Sequence, residues 1–155
     1  MVDQSLLTDD VRAHIGRTAP RGITRVTPQA LLRSSDTYFG KPWEPVPGNG
    51  EPVPGIVIAA LETESAGLDL PTVMPNSLLI SNEWQFERRL RMGEDLEVQS
   101  RLADISERFG GRFGQSLYFR TEVEFTEPGS GAVVARTVQT MMQYDAANES
   151  RGDGE

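Results

Sequence analysis

The sequence contains no cysteine, a single histidine (His14) and a single lysine (Lys41). The first absence excludes disulfides, thiolate metal sites, iron–sulfur ligation and cysteine nucleophiles, and it fits a reducing compartment. His14 sits in a short N-terminal helical pattern, where a solitary histidine reads as a surface or capping residue. No serine–histidine catalysis and no histidine-rich metal site is therefore expected. Long apolar runs are also missing: none approaches the roughly 18 residues that mark a membrane span. The opening MVDQSLLTDD is acidic where a signal peptide is basic. These features predict a cytoplasmic protein with no membrane partner. Excess positive charge is absent as well. The formal net charge is -8, so the basic face that phosphate neutralisation needs is not available, and nucleic acid is not an expected partner.

What is present fits one domain over 1–145, followed by an acidic tail, 146–155, expected to be disordered. Thr8 caps a short helix in which Asp9 and Asp10 suit the helix dipole and Gly16 is the stop. GITRV at 22–26 is a short extended piece. Thr27-Pro28 then opens a helix, PQALLRSSDTYF, that ends near Gly40. Residues 40–54, GKPWEPVPGNGEPVP, form a loop dense in proline and glycine. In PGIVIAALETESAG, six consecutive apolar residues from Ile56 to Leu61 leave no polar face over nearly two turns. A helix of that kind must be surrounded by protein, with Gly67 as its stop. A buried strand is the competing reading, and the Ala59-Ala60-Leu61-Glu62 continuation favours helix.

The second half changes character. Segments 78–90, 95–107, 113–126 and 132–144 read as four long strands joined by the glycine-rich turns MGE, FGGR and EPGSG. Short turns imply antiparallel neighbours. In the third strand Phe113, Leu117, Phe119, Val123 and Phe125 share one face, opposite Arg120, Glu122 and Glu124. One buried helix followed by an antiparallel meander predicts an α+β hot dog fold, a sheet wrapped around a central apolar helix. Edge strands of this length favour pairing between subunits.

The order of these pieces resembles the N-terminal hot dog domain of MaoC-like dehydratases, the fatty-acid-synthase-type dehydratase domain. The resemblance rests on the aromatic-acidic strand from Glu83 to Leu90, on Gly93-Glu94-Asp95, on Glu107-Arg108 with Gly110, Gly111 and Gly114, on Gly131 to Thr140, and on the proline-led helix PVPGIVIAAL at 52–61. It covers roughly residues 10–144. It implies binding of an acyl thioester of coenzyme A or acyl carrier protein and reversible hydration of a 2-enoyl group, with the coenzyme A thioester as substrate and no cofactor. The family's signature is an Asp, four residues, then a His. Hydration needs one group as acid and one as base around the water, and a backbone N–H on the thioester oxygen.

SSDTYFGKPWE, residues 34–44, tests that implication. Asp36 and Lys41 have the separation of the dyad, but the histidine is missing and Tyr38 and Phe39 replace the Asn and Pro of the motif. An exposed lysine is protonated near neutral pH and accepts no proton. The segment therefore reads as the vacated place of a dyad, with Tyr38, Phe39 and Trp43 left to pack or to border an acyl chain, and no catalytic residue is expected. Pro54, Gly55 and Ile56 begin the apolar helix, where free N–H groups and the dipole suit a thioester oxygen; a plain helix start is the alternative. Arg88, Arg89 and Arg91 suit coenzyme A phosphates, or else ion pairs with Glu87 and Glu94. Glu62 and Glu64 suit thioester hydrolysis, or else mark where the helix emerges into water. Arg151-Gly152-Asp153 is a chance match to an integrin ligand.

A hydratase-type domain without its acid–base pair implies a non-catalytic subunit of a heteromeric MaoC-like enoyl-CoA hydratase. It would complete a double hot dog with a catalytic partner carrying the Asp/His signature and shape the acyl pocket, by analogy for bulky groups such as steroid side-chain thioesters. A stand-alone acyl-CoA thioesterase using Glu62 or Glu64 and a non-enzymatic acyl-CoA-binding module are the alternatives.

Overall fold

A computed structural model of the chain describes residues 4–64 and 67–149, without the side chains of 63 and 64. Helix α1 spans Asp9–Arg12, with the Thr8 hydroxyl accepting from the Val11 N–H. It is shorter than the predicted run to Gly16 because the β3 edge captures the following backbone. Gly16 N donates to Leu102 O, Leu102 N to Arg17 O and Ala19 N to Ser100 O. Helix α2, Pro28–Phe39, has both predicted ends: the Thr27 hydroxyl accepts from Ala30 N, and Gly40 closes it in the left-handed region at φ 69°. A 3-10 turn over Gly55–Val57 leads into α3, Ile58–Glu64. Gly67, the predicted stop, follows residues 65 and 66, which lie outside the described residues.

Five strands follow the order β1-β3-β4-β5-β2, all antiparallel: β1 Gly22–Arg25, β2 Asn76–Phe86, β3 Asp95–Arg108, β4 Ser116–Thr126 and β5 Val133–Tyr144. The extended piece at 22–26 is thus a fifth strand on the outer edge of β3. Two predicted ranges are corrected. The strand expected over 78–90 stops at Phe86, because the chain turns at Arg88 and then pairs with the long loop, Val53 N donating to Leu90 O. The strand expected from 113 starts at Ser116, because Gly114 takes φ 68° and Phe113 stacks instead on Tyr144, with ring centroids 4.3 Å apart. From Ser116 onward the predicted alternation holds, with Leu117, Phe119, Val123 and Phe125 all buried. Residues 146–148 form a 3-10 turn in which the Asp145 side chain accepts from Ala147 N, so the expected tail does not begin at 146. Residues 150–155, with Arg151-Gly152-Asp153, lie outside the described residues.

The concave face of the sheet holds two apolar clusters. In the first, Val57, Ile58, Ala60 and Leu61 of the central helix pack with Ala30 and Leu31 of α2 and with Leu96, Val98, Val123, Phe125 and Ala135 of the sheet. Ile56 and Ala59 remain partly exposed, so the helix is open along one flank and not enclosed all round. The second cluster, Leu102, Ile105, Leu117 and Phe119, is covered by Leu6, Leu7 and Val11 of the N-terminal strap and by Leu68, Leu70 and Val73.

Glu107, on the inner face of β3, fastens that strap. It accepts from Ser5 Oγ at 2.7 Å, Leu6 N at 2.8 Å and Gln115 Nε2 at 2.8 Å. Burial pushes its carboxyl up, but these hydrogen bonds outweigh burial and hold it below the usual carboxylate range. A carboxyl with a lowered folded pKa stabilises above its unfolded pKa of about 4.3, and that contribution is lost as pH falls through the lower folded value. The Leu6 amide resonance should therefore stay native through pH 5 and shift only below the ordinary Glu range. Glu107→Ala should lose about 1–3 kcal/mol in denaturant unfolding at neutral pH.

Candidate functional site

The last two turns of α2 carry residues 34–39, so the first six residues of SSDTYFGKPWE are helical, as the Thr27-Pro28 start and the Gly40 stop predict. Ser34 and Ser35 are buried, their hydroxyls donating to Val57 O and Leu31 O. Asp36 lies on the exposed side, and Lys41, beyond the Gly40 cap, is exposed too. No hydrogen bond or ion pair joins the two among the described residues. His14 Nδ1 lies 3.0 Å from Asp10 O in its own turn. Asp36 and Lys41 are thus both turned to water with no contact joining them.

The three aromatics do not converge. Tyr38 turns towards β2 and meets Trp84 edge-to-face, with centroids 5.7 Å apart. Phe39 packs with Trp43 at 6.2 Å. Trp43 also lines a small apolar hollow of about 190 Å³ with Leu31, Leu32, Pro42 and Val46. At the start of the central helix, a side chain on Gly55 would lie 3.1 Å from the Phe86 ring. The missing side chain of Gly55 makes room for Phe86, which closes this side of the Pro54-Gly55-Ile56 turn.

The arginine cluster is largely engaged in the fold. Arg88 donates to both oxygens of Glu94, at 3.1 and 2.8 Å, and to Glu127 Oε1 at 3.1 Å. The side-chain hydrogen bond that Arg88 donates to the Glu94 carboxylate is the leading cause that raises the Arg88 pKa above its ordinary value. Glu94 also accepts from Arg91 N, and the Arg91 guanidinium donates to Gly50 O at 2.9 Å. Arg89 is exposed. Two of the three arginines therefore tie the turn after β2 to the loops on either side.

A buried acid lies elsewhere. Glu62 of α3, 7% exposed, does not emerge into water. Its Oε2 accepts from Asn82 Nδ2 at 2.9 Å and from Gln139 Nε2 at 3.2 Å. Asn82 pairs with Gln139 across β2 and β5, and Gln139 with Thr121 across β5 and β4. This polar row crosses the concave face between the two apolar clusters. A cleft of about 370 Å³ opens beside it between α2, α3 and β2, lined by Thr37, Tyr38, Ala59, Glu62, Leu79 and Asn82, with Arg33 at the same wall. Its size is within the range of small-ligand pockets. The side chain of Glu64 lies outside the described residues. Asn82 and Gln139 are the functional candidates that motif reading passed over. Their signal was the period-two alternation itself, which puts two amides on a face otherwise destined for the core. Among the described residues no group of acids and histidine could hold a metal ion, and no helix is long and apolar enough to cross a membrane.

No protein-family model matches the chain, and no curated protein resembles it in sequence. Solved structures do resemble it in shape. The HadBC (3R-hydroxyacyl-ACP dehydratase) complex of Mycobacterium tuberculosis superposes with a TM-score of 0.61 at 14% identity, over 83% of this chain and 96% of that one. The MaoC-like dehydratase of Rhodospirillum rubrum gives 0.55 at 16% identity, over 84% and 92%. The ChsH1-ChsH2 complex of Mycobacterium tuberculosis gives 0.55 at 11% identity, over 93% and 90%. The architecture is therefore the hot dog fold, as the helix and meander predict.

If Arg88 serves the fold, Arg88→Ala should cost about 1–2 kcal/mol in denaturant unfolding, since the guanidinium is partly exposed and its charge-assisted bonds are screened. Arg89→Ala should change stability by less than about 0.5 kcal/mol. Titration with coenzyme A separates this role from phosphate binding: the affinity of Arg88→Ala should equal that of the wild type.

Proposed function

We propose that this chain is a non-catalytic subunit of a heteromeric MaoC-like hydratase acting on a 2-enoyl thioester of coenzyme A, completing a double hot dog and bordering the acyl pocket. The observation that carries the reading is the pairing of a hydratase-type fold with a dyad position occupied by exposed Asp36 and Lys41 and no histidine. Hydration needs a base and an acid on one water. An exposed helix acid and an exposed lysine on opposite sides of a cap, with no contact between them, do not hold one water in common.

The sheet edge supports the heteromeric part. The β3 edge is covered by β1 and by residues 16–19, whereas β2, eleven residues long, pairs among the described residues only with β5. Leu78, Leu79 and Ile80 on it are each about half exposed. A long open edge with three adjacent apolar residues is a template for another strand, and a monomer in water normally blunts such an edge with charge or proline. Two of the structures that share the fold are named as two-chain complexes, HadBC and ChsH1-ChsH2. The partner is a hot dog chain that brings the Asp/His signature, and its edge extends the sheet across β2.

Buried Glu62 in the 370 Å³ cleft favours one second reading, hydrolysis of an acyl-CoA thioester with Glu62 activating water. The two readings separate cleanly. Co-expression with a catalytic hot dog chain should yield a complex that hydrates 2-enoyl-CoA, while this chain alone should neither hydrate it nor release thiol from acyl-CoA. In the complex Asp36→Asn should leave kcat within about twofold, because the group touches no reacting atom. Leu79→Asp should abolish co-purification. Hydratase activity from the chain alone would overturn the proposal, and thiol release that disappears in Glu62→Gln would establish the second reading.

A further inference from the structure

We propose that the inner face of the sheet carries a binding site for one buried water molecule between Trp84, Thr137 and Asn82, and that through this water Trp84 and Thr137 act as positioning residues for the Asn82 amide. The inference does not depend on the acyl-thioester reading.

Three polar atoms shut off from solvent carry it. Thr137 is fully buried, and its Oγ1 has no hydrogen-bond partner among the described residues. Trp84 Nε1 and Asn82 Oδ1 are likewise buried and unpartnered among them. Strand register makes these three side chains neighbours. Thr137 of β5 stands directly opposite Trp84 of β2, and Asn82 is the next residue of β2 on the same face. Directly opposed side chains start about 5 Å apart and diagonal ones about 7–8 Å. On its other side Thr137 faces Val123 of β4, whose side chain has no polar atom to offer. The Asn82 amide is oriented by its nitrogen, which donates to Glu62 Oε2 at 2.9 Å. Its oxygen is therefore turned away from that bond and needs a donor of its own.

The chemistry of the trio selects the ligand. An indole N–H only donates, an amide oxygen only accepts, and a hydroxyl does either. A cation would meet the indole N–H and an anion the amide oxygen, each with the wrong polarity. Water can accept from Trp84, donate to Asn82 and pair with Thr137, which gives it the roughly three hydrogen bonds typical of a buried water. The three atoms do not bond one another although register makes them neighbours, and polar groups separated by more than about 3.5 Å are commonly bridged in this way. Three unpaired buried groups side by side would each cost stability, and one water satisfies all of them.

The test compares Thr137→Val, which exchanges the hydroxyl for a methyl group, with Thr137→Ser, which keeps the hydroxyl. An unpaired buried hydroxyl gains by exchange for methyl, whereas one that holds a bridging water loses by it. Thr137→Val should therefore melt a few degrees below the wild type. In the 15N-labelled full chain the Trp84 indole N–H, told apart by Trp43→Phe from the one other tryptophan, should show a cross-peak to a long-lived water. That cross-peak should vanish in Thr137→Val and persist in Thr137→Ser, and the Asn82 side-chain amide resonances should move in the first variant and stay near their wild-type positions in the second. A purely structural threonine would leave both signals in place. A higher melting temperature for Thr137→Val, no water cross-peak on Trp84 in the wild type, or a cross-peak that survives loss of the hydroxyl would overturn the inference. A high-resolution crystal structure of the unaltered chain decides the matter without any variant. A solvent peak within hydrogen-bond distance of Trp84 Nε1, Thr137 Oγ1 and Asn82 Oδ1 is expected, and the lack of one, or a direct bond from Trp84 Nε1 to a protein acceptor, would overturn the proposal.

Discussion

The architecture follows from a mismatch of lengths on the concave face. Strand β3 has 14 residues, a reach of about 46 Å at the usual strand rise. The central helix with its leading 3-10 turn has ten residues and spans only about 16 Å. A helix of that length cannot cover the whole inner face. It plugs the half that holds Val98, Val123 and Phe125, and the half that holds Ile105, Leu117 and Phe119 must be covered by something else. The N-terminal strap and the segment around Leu70 supply that cover. Because the strap is not part of the sheet, a specific fastening is needed to hold it, which is the role of Glu107.

The same mismatch creates the seam. Where the helix cover ends and the strap cover begins, neither buries the inner face completely, and the sequence places Thr121, Gln139 and Asn82 in register there. Glu62, two residues before the end of α3, meets them. Beside the seam, α2 stands off from β2 far enough to leave a cleft, with Tyr38 on Trp84 closing one side and Leu79 of the free edge bordering it. Cleft and open edge are therefore neighbours. A second sheet edge added to β2 would complete a wall of the cleft as well as the sheet.

Much of the fold was legible because local chemistry decided it. Thr27-Pro28 and Gly40 fix both ends of α2 without help from tertiary contacts, and the alternation in residues 117–125 assigns the faces of β4. Two kinds of feature were hidden. The end of β2 at Phe86 depends on Arg88 meeting Glu94 and Glu127, one six residues away and the other across the fold. The Glu62 site depends on strand register, which pairs residue 82 with 139 and brings both to residue 62, and no spacing within one segment encodes that. Glu62 looked like a helix end in water because Thr63 and Glu64 follow it. The exposed flank of α3 is in fact at Ala59, since the helix turns Glu62 towards the sheet.

Packing alone does not account for Glu62. A carboxyl taken from water loses its hydration, and its hydrogen bonds to Asn82 and Gln139 keep two amides where apolar side chains would otherwise pack. Leucine at 62 with apolar residues at 82 and 139 would join the two clusters into one, and replacements of buried polar groups by well-packed apolar ones are often neutral or stabilising. The polar row therefore costs stability at the position where the central helix faces the open cleft. Asp36 shows the opposite pattern: it is exposed, costs nothing to keep, and has no partner geometry for catalysis. The energetic asymmetry between these two acids places the chemical interest of the molecule at the seam between its two cores and away from the segment that spacing first suggested.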